Sequence, residues 1–222
     1  RYDVLFQFRH GFYFIYLLVS AIYIIALFNI PTAQRLVVTN LLVFSDTSVL
    51  GLTFVGAILL LEKQQRILHS LFVTPLKLSE YLIAKVLSLS LIALLASLLI
   101  LLIPNGFEPL SGLFVLGVMA GSVIFTLIGL GIGARVTSLN GYIFAIMIGT
   151  IIFCVPLLKY LQIYDSRWLT LLPTHAILLL LASSHHSLSA AQFIYALISL
   201  LLWTAATWIF AMMNYRILLR GA

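Results

Sequence analysis

The residues most able to do work in this chain are few and widely spaced. One polar cluster stands out: Glu62-Lys63-Gln64-Gln65-Arg66-Ile67-Leu68-His69-Ser70-Leu71-Phe72-Val73-Thr74-Pro75-Leu76-Lys77, followed by Leu78-Ser79-Glu80-Tyr81-Leu82-Ile83-Ala84-Lys85. Ile67, Leu68, Leu71 and Phe72 recur at helical spacing as one apolar stripe, with Lys63, Arg66 and Ser70 elsewhere on the surface. Pro75 stops such a helix, because the residue before a proline is pushed out of the α region. Ser79 is then expected to cap the next helix, with Glu80 favourable in its first turn. A short amphipathic helix of this kind either lies on lipid or fills a groove on a partner.

Asp46 is the other ionisable group that needs an explanation. It lies in an apolar run, beside Thr47 and Ser48. A carboxylate at membrane depth is expensive and faces a bundle interior or a wet cavity. Asp46 and Ser48 are therefore candidates to line a translocation path, where Asp46 would meet a cationic substrate. The alternative is a carboxylate at the outer interface that helps cap a helix. His175, His185 and His186 stand close in sequence, but no acidic or cysteine ligand stands at metal-binding spacing, so they read as polar interfacial residues. Gly129-Leu130-Gly131-Ile132-Gly133 resembles a dinucleotide loop only on paper. It lies inside an apolar run with no strand before it, and reads as a close-packing helix face. The single cysteine, Cys154, reads as a small buried hydrophobe.

The elements that position these residues are set by composition. The 222 residues are 63% hydrophobic and 8% charged, whereas soluble domains carry about 25% charged residues. The net charge of +6 is scattered between apolar runs, the pattern of membrane anchoring and not of a nucleic-acid surface. A spanning helix needs about 20 apolar residues. Candidate spans run from Gly11 to Ile30, Leu41 to Leu61, Leu82 to Ile103, Leu110 to Ala134, Gly141 to Leu161 and Ala190 to Tyr215. Pro31 and Pro104 are expected just beyond two of them. No small-residue cleavage pattern follows the first run, so it is expected to be a span and not a removed leader.

With six spans and both termini cytoplasmic, the inside collects Arg1, Arg9, Lys63, Arg66, Lys77, Lys85, Arg135, Arg216 and Arg220, and the outside Arg35, Lys159 and Arg167. This nine-to-three split follows the positive-inside rule. A seventh span at Trp168–Ala182 would weaken it, and Pro173 interrupts that short run. Residues 162–189 are therefore expected to form a re-entrant hairpin on the outer side. Residues 1–10 place Asp3, Gln7 and His10 on one helical face and Val4, Leu5, Phe8 and Phe12 mostly on the other, which predicts an interfacial helix. The whole chain, 1–222, reads as a single all-α transmembrane domain.

The run Glu-Lys, Arg-Ile-Leu, Leu-Phe-Val-Thr-Pro-Leu, Glu-Tyr-Leu-Ile-Ala-Lys over residues 62–85 resembles the coupling segment of type-2 ABC exporter permeases, in particular the fluoroquinolone and multidrug export permease subunits. Phe6-Gln7-Phe8-Arg9-His10-Gly11-Phe12-Tyr13 and Phe44-Ser45-Asp46-Thr47-Ser48 are similar to stretches of the same family, in the same order. The resemblance implies a permease in a prokaryotic inner membrane. Its coupling helix, residues 62–77, would dock on separate ABC ATPase subunits, two per complex. Glu62, Lys63, Arg66, Ile67, Leu68, Leu71, Phe72 and Pro75 would form that contact. It also implies a second permease chain, as a homo- or heterodimer. The chain carries no Gly-x-x-x-x-Gly-Lys-Ser/Thr loop and no common hydrolase signature. ATP and Mg would therefore be bound by the partner subunits, with no cofactor in this chain. An ion-coupled secondary transporter or channel is the competing expectation, with Asp46 as its single intramembrane candidate. A membrane-embedded enzyme lacks an acid–base or metal set.

Overall fold

A computed structural model describes residues 12–65, 77–184 and 187–220. Among these the fold is all-α, with no sheet. The expected interfacial helix at 1–10, most of the coupling helix at 62–77, and His185 and His186 lie outside the described residues.

The chain opens with α1 (Phe12–Phe28), 17 residues with no charged side chain. After Pro31 come α2 (Thr32–Val49), a π-helical turn (Leu50–Phe54) and α3 (Val55–Gln64), one continuous rod. Then follow α4 (Leu78–Asn105), α5 (Gly112–Arg135), α6 (Leu139–Cys154) and the short α7 (Leu157–Tyr160). A 3-10 turn (Arg167–Leu171) leads into α8 (Pro173–Ala182), and α9 (Ala190–Arg220) ends the described chain. Among the described residues five stretches are long and apolar enough to cross a membrane: Thr32–Gln64, Leu78–Asn105, Gly112–Arg135, Leu139–Tyr160 and Ala190–Leu218. The first expected span is the 17-residue α1, about 25 Å long at 1.5 Å per residue.

Three boundaries differ from the hydropathy expectation. The second span begins at Thr32 and not at Leu41, because its polar first turns are satisfied within the bundle. Arg35 donates to the Ile30 and Pro104 carbonyls at 3.1 and 3.2 Å, and Thr39 Oγ1 accepts from Asn105 Nδ2 at 3.1 Å. Pro104 lies inside the last turn of α4, where Asn105 Nδ2 also reaches the Leu101 carbonyl at 3.0 Å and Gly106, at φ +77°, ends the helix. Ser79 does not cap α4. The helix starts earlier, after Lys77, whose backbone N–H donates to Glu80 Oε2 at 3.1 Å; a glutamate at the third helical position reaching back fixes that start.

Helix α5 is the hub, packed against α2, α3, α4, α8, α9 and the π turn. Its glycines permit this. A Cβ on Gly129 would come within 2.5 Å of the Gly51 carbonyl, and one on Gly131 within 2.4 Å of the Phe210 ring. Helix α8 runs antiparallel along the first half of α5, with Ser183 and Ser111 hydroxyls 2.6 Å apart and Leu180 and Ile177 over Gly117 and Gly121. Pro173 opens α8 instead of interrupting it, a position where its missing N–H costs nothing. Thr174 donates to the Phe153 carbonyl at 2.6 Å, and the Trp203 indole to the Leu171 carbonyl at 2.9 Å, which ties this segment into the bundle. Helices α1, α6 and α9 turn large apolar side chains outward: Phe14, Phe144, Ile151 and Leu201 are each about 70% exposed, a surface whose solvent is lipid or another apolar face.

Candidate functional site

Segment 66–76 joins α3 to α4 in sequence, and the ends of those two helices that flank it are bound to each other. Glu62 in the last turn of α3 is buried, and forms an ion pair with Lys85 of α4. Tyr81, one turn before Lys85 on the same face of α4, donates its hydroxyl to Glu62 Oε2 at 2.6 Å. The Lys85 ammonium lies 5.5 Å from the centre of the Tyr81 ring, which in turn packs 5.7 Å from Tyr215 of α9. Sequence spacing explains the pairing: Tyr81 and Lys85 are one helical turn apart and so share a face.

Lys63 turns the other way. Its ammonium donates to the carbonyls of Gly133, Ala134 and Val136 at 2.7, 3.0 and 2.9 Å. These are the unpaired acceptors at the C-terminal end of α5, where a cation also meets the negative end of the helix dipole. Beside it, Arg135 Nε donates to Asn214 Oδ1 of α9 at 2.5 Å. The ends of α3, α4, α5 and α9 are thus fastened at one level, around the roots of segment 66–76.

Glu62 and Lys63, expected on the docking helix, lie in the last turn of α3, one buried and the other half-buried. Arg66, Ile67, Leu68, Leu71, Phe72 and Pro75 lie outside the described residues. Tyr81, Lys85 and Asn214 were not anticipated. A signal existed for Lys85: a lysine within an apolar run, with a glutamate at the end of the preceding run, asks for a partner.

Asp46 and Ser48 are not brought together. Two residues apart on a helix, they point about 200° from each other. Ser48 is buried and donates to the Ser45 carbonyl of its own helix at 3.0 Å. Asp46 is 4% exposed, and its Oδ2 has no hydrogen-bond partner among the described residues. The hydroxyls of Thr47, Ser90, Ser97, Ser122 and Thr126 are buried in the same unpartnered state. The contact of Thr39 with Asn105 sets the antiparallel register of α2 on α4 and brings Asp46 to the level of Ser97. Between Asp46 and Glu62 lies the π turn, where Tyr142 donates its hydroxyl to the Leu52 carbonyl. No group of three or more His, Cys, Asp or Glu side chains that could hold a metal ion occurs among the described residues.

Residues 1–219 match the fluoroquinolones export permease protein family. The chain belongs to this family. Two relatives, each named a fluoroquinolones export permease protein, come from Mycobacterium tuberculosis strains CDC 1551 / Oshkosh and H37Rv. Each is 27% identical to this chain over 192 residues, which cover 86% of it and 81% of the relative. Family membership and the five long apolar helices make the chain a multi-pass membrane protein, an export permease by family.

Proposed function

We propose that this chain is the membrane-spanning permease subunit of an ATP-driven ABC exporter, moving an amphipathic drug-like or lipid-like substrate out of the cell. One observation carries the reading: Glu62, Lys63, Tyr81 and Lys85 root both ends of segment 66–76 in the bundle. A segment so rooted transmits a push to α3, α4, α5 and α9 together. The stripe Ile67, Leu68, Leu71 and Phe72, with Arg66 at its edge and Pro75 at its end, is the surface that two separate ATPase subunits would grip. Those subunits bind ATP and Mg. Six spans, α1 among them, place both termini in the cytoplasm, and α8 with the preceding 3-10 turn forms the outer re-entrant hairpin. A second permease chain completes the path. The motion is a rigid-body switch between two packings, for which the π turn midway along the second rod is a suitable joint, since π turns concentrate at functional sites.

The test is copurification from native membranes. Leu71→Asp with Phe72→Asp should abolish capture of the ATPase while the permease stays folded. Undiminished capture would count against the docking role.

A second reading has support from Asp46. A buried carboxylate with an unpartnered oxygen suits ion coupling. An ion-coupled transporter or channel would move substrate without ATP and stop when the proton gradient collapses; the exporter reading expects the reverse.

A further inference from the structure

At the end of the bundle opposite segment 66–76, a cavity of about 440 Å³ opens between the start of α2 and the end of α4. The rise along α4 from Lys85 to Asn105 puts it about 30 Å from the Glu62–Lys85 cluster. Arg35 and Glu108 line it together, with Thr32, Asn105 and Ser184 as polar neighbours and Leu36 as apolar wall. Arg35 is half-buried and held in place: Nε and Nη2 donate to the Ile30 carbonyl, and Nη1 to that of Pro104. A guanidinium has five N–H donors, so two remain beyond these bonds. Neither Arg35 nor Glu108 forms an ion pair among the described residues. A fixed cation and an exposed carboxylate therefore share one cavity without neutralising each other.

We propose that this cavity binds a zwitterionic amphiphile, its anionic group on Arg35 and its cationic group on Glu108. A single-charge ligand leaves one of the two facing its own sign or nothing; only a molecule carrying both charges complements both walls. This deepens the exporter reading and rests on it only for the claim that the occupant is cargo. A zwitterionic lipid headgroup offers the same chemistry as an exported zwitterion.

The experiment uses the full chain in nanodiscs and the fluorescence of three probes: a fluoroquinolone zwitterion, its methyl ester (cation only) and its N-acetyl form (anion only). The zwitterion should bind about five-fold tighter than either, as expected for one solvent-screened charge contact. Glu108→Gln should erase the preference over the N-acetyl form and leave that form's own affinity unchanged. Glu108 is exposed, so this variant folds even if Arg35→Gln does not. Equal affinity for all three probes, or a zwitterion indifferent to Glu108→Gln, overturns the proposal. With the preference intact, weaker binding in phosphatidylethanolamine than in phosphatidylglycerol discs identifies a lipid headgroup as occupant, and equal binding identifies an exported solute. Because no ATPase is present, a failed coupling experiment leaves this result standing, and the reverse also holds.

Discussion

The end of the bundle that holds Glu62 and its middle both bury polar groups, and they treat the charged ones differently. At the Glu62 end every buried charge among the described residues has a partner, Glu62 having Lys85 and Tyr81 and Lys63 three carbonyls, while the neutral Asn214 Nδ2 beside them has none. Midway, Asp46 Oδ2 and the hydroxyls of Thr47, Ser90, Ser97, Ser122 and Thr126 have none among the described residues. A satisfied network rigidifies; an unsatisfied buried group raises the energy of the packing that holds it. The Glu62 end is thus held together by its paired charges. The middle is the region that gains most from a second packing, or from water or substrate that pairs its hydroxyls.

The sharpest way to break this comparison is to orphan a charge at the Glu62 end. Lys85→Met leaves Glu62 buried without its cation, and should cost about 3–5 kcal/mol in denaturant unfolding. Adding Glu62→Gln should recover most of that loss, because the pair is removed as a unit. Tyr81→Phe deletes one hydrogen bond to a charged acceptor and should cost about 1.5–3 kcal/mol in the same assay. Lys63→Met frees three carbonyls at the end of α5 and should cost about 1–2 kcal/mol, with Lys63→Arg partly restoring it. Asp46→Asn should move stability by less than about 1 kcal/mol, since no ion pair is lost, yet lower export in a cell-based efflux assay. A large loss of stability there would show that the middle is as structurally committed as the Glu62 end.

How much of this could be read from residues alone follows the same division. The long spans were legible because each is an apolar run of about 20 residues, and the packing role of Gly129 and Gly131 followed from their place inside one. Their ends were not. The rod α2 begins at Thr32, where Arg35, Thr39 and Asn40 interrupt the hydropathy but find partners across the bundle. The start of α4 depended on Glu80 reaching back to Lys77, a local contact that competed with the serine cap. The pairing of Glu62 with Lys85 reaches across the whole of segment 66–76 and has no local signature. It emerges only once α3 and α4 are side by side. Nor does a sequence show that a serine such as Ser48 has spent its proton on its own helix.

The most direct measurement is photocrosslinking from Leu71 in native membranes, followed by mass spectrometry of the captured partner. The account predicts a soluble subunit carrying a nucleotide-binding loop, captured from Leu71 and not from a control position on the outward face of α6, such as Phe144. Capture of lipid alone, or of no nucleotide hydrolase, would contradict it.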